Sequence, residues 1–109
     1  MTSQEVYDEY NEGSAFSISV TFRDEDGNIA VPITISYEIY DFHTGTVLKS
    51  STSVTPASTI TIAVTSDVNR IVKEFRDREL HILLVKTNYG TGDDLNGEYK
   101  FYIKNLGRV

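Results

Sequence analysis

Leu80-His81-Ile82-Leu83-Leu84-Val85 and Tyr99-Lys100-Phe101-Tyr102-Ile103 are two apolar runs on either side of Gly90-Thr91-Gly92-Asp93-Asp94-Leu95-Asn96-Gly97. β-Branched and aromatic residues favour a pleated, half-buried surface, while Gly, Asp and Asn tolerate the positive φ that a reversal needs. The stretch therefore reads as a long β-hairpin with strands over Leu80–Tyr89 and Gly97–Leu106. No catalytic or ligand motif accompanies it, so the first implication is an all-β domain and no particular chemistry.

Upstream, the same period-two pattern recurs. Phe16, Ile18, Val20 and Phe22 alternate with Ser17, Ser19, Thr21 and Arg23, which gives a strand with one buried face. Val31-Pro32 opens another, since Pro at a first strand position costs no ladder hydrogen bond. There Ile33, Ile35, Tyr37 and Ile39 are expected inward and Tyr40 outward. Asp41-Phe42-His43-Thr44-Gly45 turns the chain into a polar strand, Thr46–Thr52, anchored by Val47 and Leu48 and expected at a sheet edge. Ile60, Ile62 and Val64 mark a further inward-facing strand. One segment departs from the pattern: Val68, Ile71, Val72 and Phe75 fall at i, i+3, i+4 and i+7. That spacing predicts a short helix within Ser66–Arg78, capped by Ser66 or Asp67 and anchored by Phe75. Residues 1–13, acidic and with Tyr7 and Tyr10, read as an arm or short edge strand, and residues 14–109 as one domain. The expected core is Phe16, Ile18, Val20, Phe22, Ile35, Tyr37, Ile60, Ile62, Val85, Tyr99 and Phe101.

Composition narrows the function classes. At 109 residues there is room for one core. A formal net charge of -6 with only 10 Lys and Arg offers no basic stripe for phosphates, so no nucleic-acid partner is expected. With zero Cys there are no disulfides, thiolate metal sites or Cys nucleophiles. No basic segment followed by an apolar run opens the chain, and no stretch of about 18 apolar residues occurs, so neither a signal peptide nor a membrane partner is expected.

Candidate chemistry is sparse. Asp24-Glu25-Asp26-Gly27-Asn28 resembles the start of a calcium loop, but its twelfth position, where a bidentate Glu is needed, is Ile35. A tight turn with solvated acids explains it. His43 and His81 are the only imidazoles and stand in a turn and a strand with no nucleophile motif. Asp93-Asp94 is a hairpin tip, and Gly90-Thr91-Gly92 lacks the strand and helix that a phosphate-binding loop requires. No catalytic, cofactor or metal residue is assigned, and no enzyme is expected.

Six or seven strands with frequent turns fit a β-sandwich of immunoglobulin or fibronectin type III kind. The order Phe16–Asn28, then Val31-Pro32 leading to Tyr37-Glu38-Ile39-Tyr40-Asp41, then Thr44-Gly45-Thr46, resembles the small immunoglobulin-like structural proteins of tailed bacteriophages. Tyr89-Gly90 and Glu98-Tyr99-Lys100-Phe101-Tyr102-Ile103-Lys104-Asn105-Leu106 are similar to their closing strands. The resemblance runs from about Tyr10 to Val109. It implies about seven strands with one short helix between two of them. Phe16–Phe22 would pair with Thr59–Val64 in one sheet, and the remaining strands would form the other.

With Tyr99, Phe101 and Ile103 inward beside Leu83, Val85, Thr87 and Tyr89, the opposite face presents Ile82, Leu84, Tyr102 and Tyr40. This is more apolar than a solvated face requires. Either the arm and neighbouring Lys and Glu stems cover it, or it docks on another protein. The resemblance implies a non-enzymatic virion protein made in the host cytoplasm. The resemblance leaves the place in the virion open; capsid decoration is preferred because a small, acidic, single-domain sandwich suits a lattice of repeated sites, bound through that face and through the arm, with Tyr7 and Tyr10 as contacts. Its partners would be other virion proteins or sister copies. The alternatives are a neck or tail component, or a module that binds a carbohydrate or host protein through its end loops; that module calls for aromatic residues in Asp41–Thr46 and Gly90–Gly97, where only Phe42 qualifies, so the sequence leans against it.

Overall fold

The structure is a computed structural model that describes residues 7–73, 75–90, 92 and 94–107. Its strands are β1 (Asp8–Asn11), β2 (Phe16–Thr21), β3 (Thr34–Asp41), β4 (Val47–Val54), β5 (Thr59–Val64), β6 (Arg78–Asn88) and β7 (Asp94–Lys104). They form two sheets, one of five strands in the order β1-β7-β6-β3-β4 and one of two, β2-β5. β1 runs parallel to β7, while the other pairs are antiparallel. Residues 1–6, the first part of the expected arm, lie outside the described residues.

The alternation read from the sequence sets the layers. Ile18 faces Ile62 and Val20 faces Ile60 across the β2–β5 ladder, and these side chains pack on Ile35, Ile39, Leu83, Val85, Phe101 and Ile103 of the larger sheet. All eleven expected core residues belong to this cluster or pack against it. Phe101 is its centre. Its ring meets Phe16 edge-on at 5.2 Å, Tyr10 at 6.0 Å and His81 at 5.8 Å, and Tyr99 stacks at 5.7 Å. One residue of β7 thereby ties together β1, β2 and β6. Two strands cannot roof five, and a groove of about 440 Å³ stays open beside β2, lined by Ile18, Val20, Leu83, Val85, Leu95 and Tyr99.

The turns follow from local chemistry. Asp24 Oδ1 accepts the N–H groups of Asp26 and Asn28, and Gly27, at φ 83°, completes the reversal. In the β3–β4 hairpin Gly45 sits at φ 74°, and Asp41 Oδ2 accepts both the N–H and the hydroxyl of Thr44. β4 lies at the sheet edge as expected, with a register shift in its pairing to β3 that interrupts a flat edge.

Three expectations need correction. β7 begins at Asp94, not Gly97, because the ladder to β6 continues outward as far as Asn88 opposite Asp94. There Asn88 Nδ2 donates to Asp94 Oδ1, and Thr87 donates to the Leu95 carbonyl. Ile33 is exposed, since the strand starts at Thr34 and not at Val31-Pro32, and Pro32 takes the buried place.

The third concerns the helix expected within Ser66–Arg78: among the described residues there is none. A single turn forms where Val68 and Asn69 donate to the Thr65 carbonyl. The chain then runs irregularly, because its backbone groups find partners elsewhere. Val72 and Lys73 donate at 2.7 Å to the two carboxylate oxygens of Glu79, Asn69 Nδ2 donates to the Ser14 carbonyl, and Asn105 bonds Arg76 and Asp77. Val68 is buried while Ile71 and Val72 pack on the core, but Phe75, the expected anchor, is 83% exposed. The helical spacing is met by a loop that brings three of the four residues onto the core without a helix.

Two substitutions and a control test this arrangement. Phe101→Ala should lower unfolding stability by about 3–5 kcal/mol in urea denaturation, a large part of the ~5–15 kcal/mol typical of a domain; a loss below about 1 kcal/mol would displace Phe101 from the centre. Glu79→Ala should cost about 3–5 kcal/mol, since it strands two N–H donors and a buried charge partner. Glu98→Ala, on the exposed part of β7, should stay within about 0.5 kcal/mol.

Candidate functional site

Two places concentrate side chains of interest, and they lie on opposite faces of the five-stranded sheet. On the outer face, strand register brings the expected residues into adjacent rows. Leu80 is opposite Tyr102, Ile82 lies between Tyr40 and Lys100, and Leu84 lies between Glu38 and Glu98. Val47 continues the middle row beyond Tyr40 and is 52% exposed. Leu80 was not anticipated here, though it shares the parity of Ile82 and Leu84, and Val47, expected to anchor its strand with Leu48, lies exposed on this face while Leu48 alone is buried.

Charged stems and the first described residues partly cover this face. The Arg78 guanidinium lies 4.0 Å from the Tyr102 ring centre and pairs with Glu9 at 3.8 Å. Tyr7 tilts against Tyr102 at 5.8 Å, with the Lys100 ammonium 5.9 Å from the Tyr7 ring, and Lys86 pairs with Glu38 at 3.2 Å. Ile82 is 1% exposed, so it forms the floor of the patch and not its surface. Tyr40, Leu84 and Tyr102 are half-buried and form that surface with Leu80 and Val47.

Tyr10 takes another place. Its ring stacks on Phe16 at 3.6 Å inside the sandwich, and its hydroxyl lies 3.1 Å from that of Tyr99. Tyr99 in turn donates to Asp8 Oδ2 at 2.6 Å. Burial, with the bonds to Asp8 and Tyr10, holds the Tyr99 hydroxyl far above its ordinary pKa, so it remains a donor. These contacts fasten β1 to the edge of the sheet.

The second place is a buried polar cluster on the inner face, where Asp41, Glu79 and His81 come together from β3 and β6. Asp41 and His81 are direct partners across the ladder, and Glu79 precedes His81 by two residues. His81 Nε2 is 3.2 Å from Glu79 Oε1 and 3.9 Å from Asp41 Oδ1. Arg76 Nη1 lies 3.5 Å from Asp41 Oδ2 and 3.6 Å from Glu79 Oε2. Burial pushes the His81 imidazole below its ordinary pKa, against the raising influence of Glu79 and Asp41.

Sequence reasoning missed this cluster, although a signal was present. The alternation that turns Leu83 and Val85 inward also turns Glu79 and His81 inward, and Asp41 follows Ile39 in the same way. Comparison of the chain with protein-family models, with curated proteins and with solved structures finds no match.

Proposed function

We propose that the protein is a non-enzymatic structural component of a bacteriophage virion, an immunoglobulin-like sandwich that decorates the capsid through the outer face of its five-stranded sheet. Two lines of support meet. The first is the motif resemblance described above, together with the strand order: β7-β6-β3-β4 over β2-β5 fits the G-F-C-C′ over B-E arrangement of an immunoglobulin-type sandwich.

The second carries the docking assignment. Leu80, Leu84, Tyr40, Tyr102 and Val47 adjoin one another above Ile82, and Glu9, Glu38, Lys86, Glu98 and Lys100 belong to the same sheet face around them. An apolar centre with aromatic anchors and a charged rim is the usual anatomy of a protein–protein contact. A lattice of identical capsid sites would reinforce modest individual affinities.

A neck or tail position rests on the same face. One observation favours the binding-module alternative: Phe42 and Phe75 are 52% and 83% exposed, and they neighbour in sequence the ion-paired Asp41 and Arg76. That places two exposed aromatic residues at one end of the sandwich, the disposition expected of a loop-borne ligand site.

Retention on purified particles decides between these readings. Leu84→Ser with Tyr102→Ser should cost the free domain about 1–2 kcal/mol, leaving it folded, while lowering retention about tenfold or more. Phe42→Ser with Phe75→Ser should leave retention unchanged. Wild-type retention of the folded Leu84/Tyr102 variant would remove the sheet face from the proposal. Loss through the Phe42/Phe75 variant instead would transfer docking to the loop end.

A further inference from the structure

The Asp41–Glu79–His81 cluster plays no part in docking through the outer face, and its geometry asks for a partner of its own. Asp41 is held through one oxygen and offers the other, whereas both Glu79 oxygens accept a backbone N–H. Asp41 Oδ2 accepts two bonds from Thr44, and Glu79 Oε2 accepts the Lys73 N–H, with Arg76 close to both. The remaining oxygens turn toward His81 Nε2, and the three ligand atoms lie within 4.8 Å of one another. Glu79 Oε1 also accepts the Val72 N–H.

Asp41 Oδ1 is different. It is fully buried and has no hydrogen-bond partner among the described residues. A buried carboxylate oxygen in that state is costly unless a positive centre meets it. The Arg76 guanidinium pairs with the other oxygen, Oδ2, at 3.5 Å.

We propose that Asp41, Glu79 and His81 form a zinc-binding site with three protein ligands and a fourth position for water. Zinc bonds of about 2.0–2.2 Å in a tetrahedron place neighbouring ligand atoms roughly 3.3–3.5 Å apart. The Nε2–Oε1 distance of 3.2 Å is already close to this, and the Nε2–Oδ1 distance of 3.9 Å needs Asp41 Oδ1 to close by about half an ångström. Calcium and magnesium fit poorly, since they seek six or more oxygens and the cluster brings two carboxylates and an imidazole. Thr44 acts as the outer partner that fixes the orientation of Asp41. A bound ion joins the β3–β4 hairpin to β6, beside the loop that Glu79 holds, so occupancy adds to folding stability.

The experiment uses the whole chain, stripped with chelator and then titrated with zinc chloride or cobalt chloride. The expected result is one zinc per chain after desalting, a higher melting temperature, and a visible cobalt absorption of a four-coordinate site. Asp41→Asn should abolish all three. Thr44→Val, at an exposed turn position and safer for folding, should weaken zinc binding about tenfold. His43→Ala, which removes the other imidazole, should change nothing. No stoichiometric zinc on the wild-type chain would overturn the site. So would wild-type affinity in Thr44→Val, or zinc retained by folded Asp41→Asn and lost in His43→Ala, which would mark a surface imidazole as the binder.

Discussion

A carboxylate buried at the end of a β-sandwich must be met by donors, and at Glu79 that requirement shapes everything around it. Two backbone N–H groups, the Arg76 guanidinium and the His81 ring converge on its oxygens. To deliver those N–H groups the chain between β5 and β6 gives up helical hydrogen bonds and lies across the sheet end. Val68, Ile71 and Val72 then reach the core, and Phe75 points to solvent. Asn69 and Asn105 fasten the same loop to the β1–β2 connection and to the end of β7. Charge, loop path and closure of the core are thus one constraint.

Most of the strand layout was legible because burial on one face of a sheet writes a two-residue period into the sequence. Phe16–Phe22, Ile60–Val64 and the inward set of the long hairpin show it plainly, and the structure pairs and packs them accordingly. Helical spacing is weaker testimony. Four apolar residues at i, i+3, i+4 and i+7 also suit a loop pinned by long-range bonds, and the bonds that decide the matter come from Glu79, whose part the local spacing does not show. The outer patch was legible in parity, but the depth of Ile82 was not, because it sits between Tyr40 and Lys100 only once the neighbouring strands are in register. The buried cluster went unread for a different reason. Polar residues at inward positions look like interruptions of a hydrophobic pattern until the register sets Asp41 against His81.

The two faces of the large sheet divide the labour. Inside, Phe101 joins aromatic rings from three strands, and the Tyr99 hydroxyl extends that order to Asp8, so β1 is fixed by both packing and a hydrogen bond. Outside, apolar side chains remain within a charged surround, on a chain whose net charge of -6 disfavours self-association in solution. On the proposed reading, a small acidic domain that docks through this outer face is well matched to a crowded repeating surface.

The role of Glu79 as organiser of the sandwich end is tested most directly by native-state hydrogen exchange of the Val72 and Lys73 amides. Both belong to a loop, yet both donate to a buried carboxylate, so they should exchange as slowly as neighbouring amides of β6 and with a similar opening free energy. Exchange of these two amides at the rate of an open loop, with β6 still protected, would contradict it.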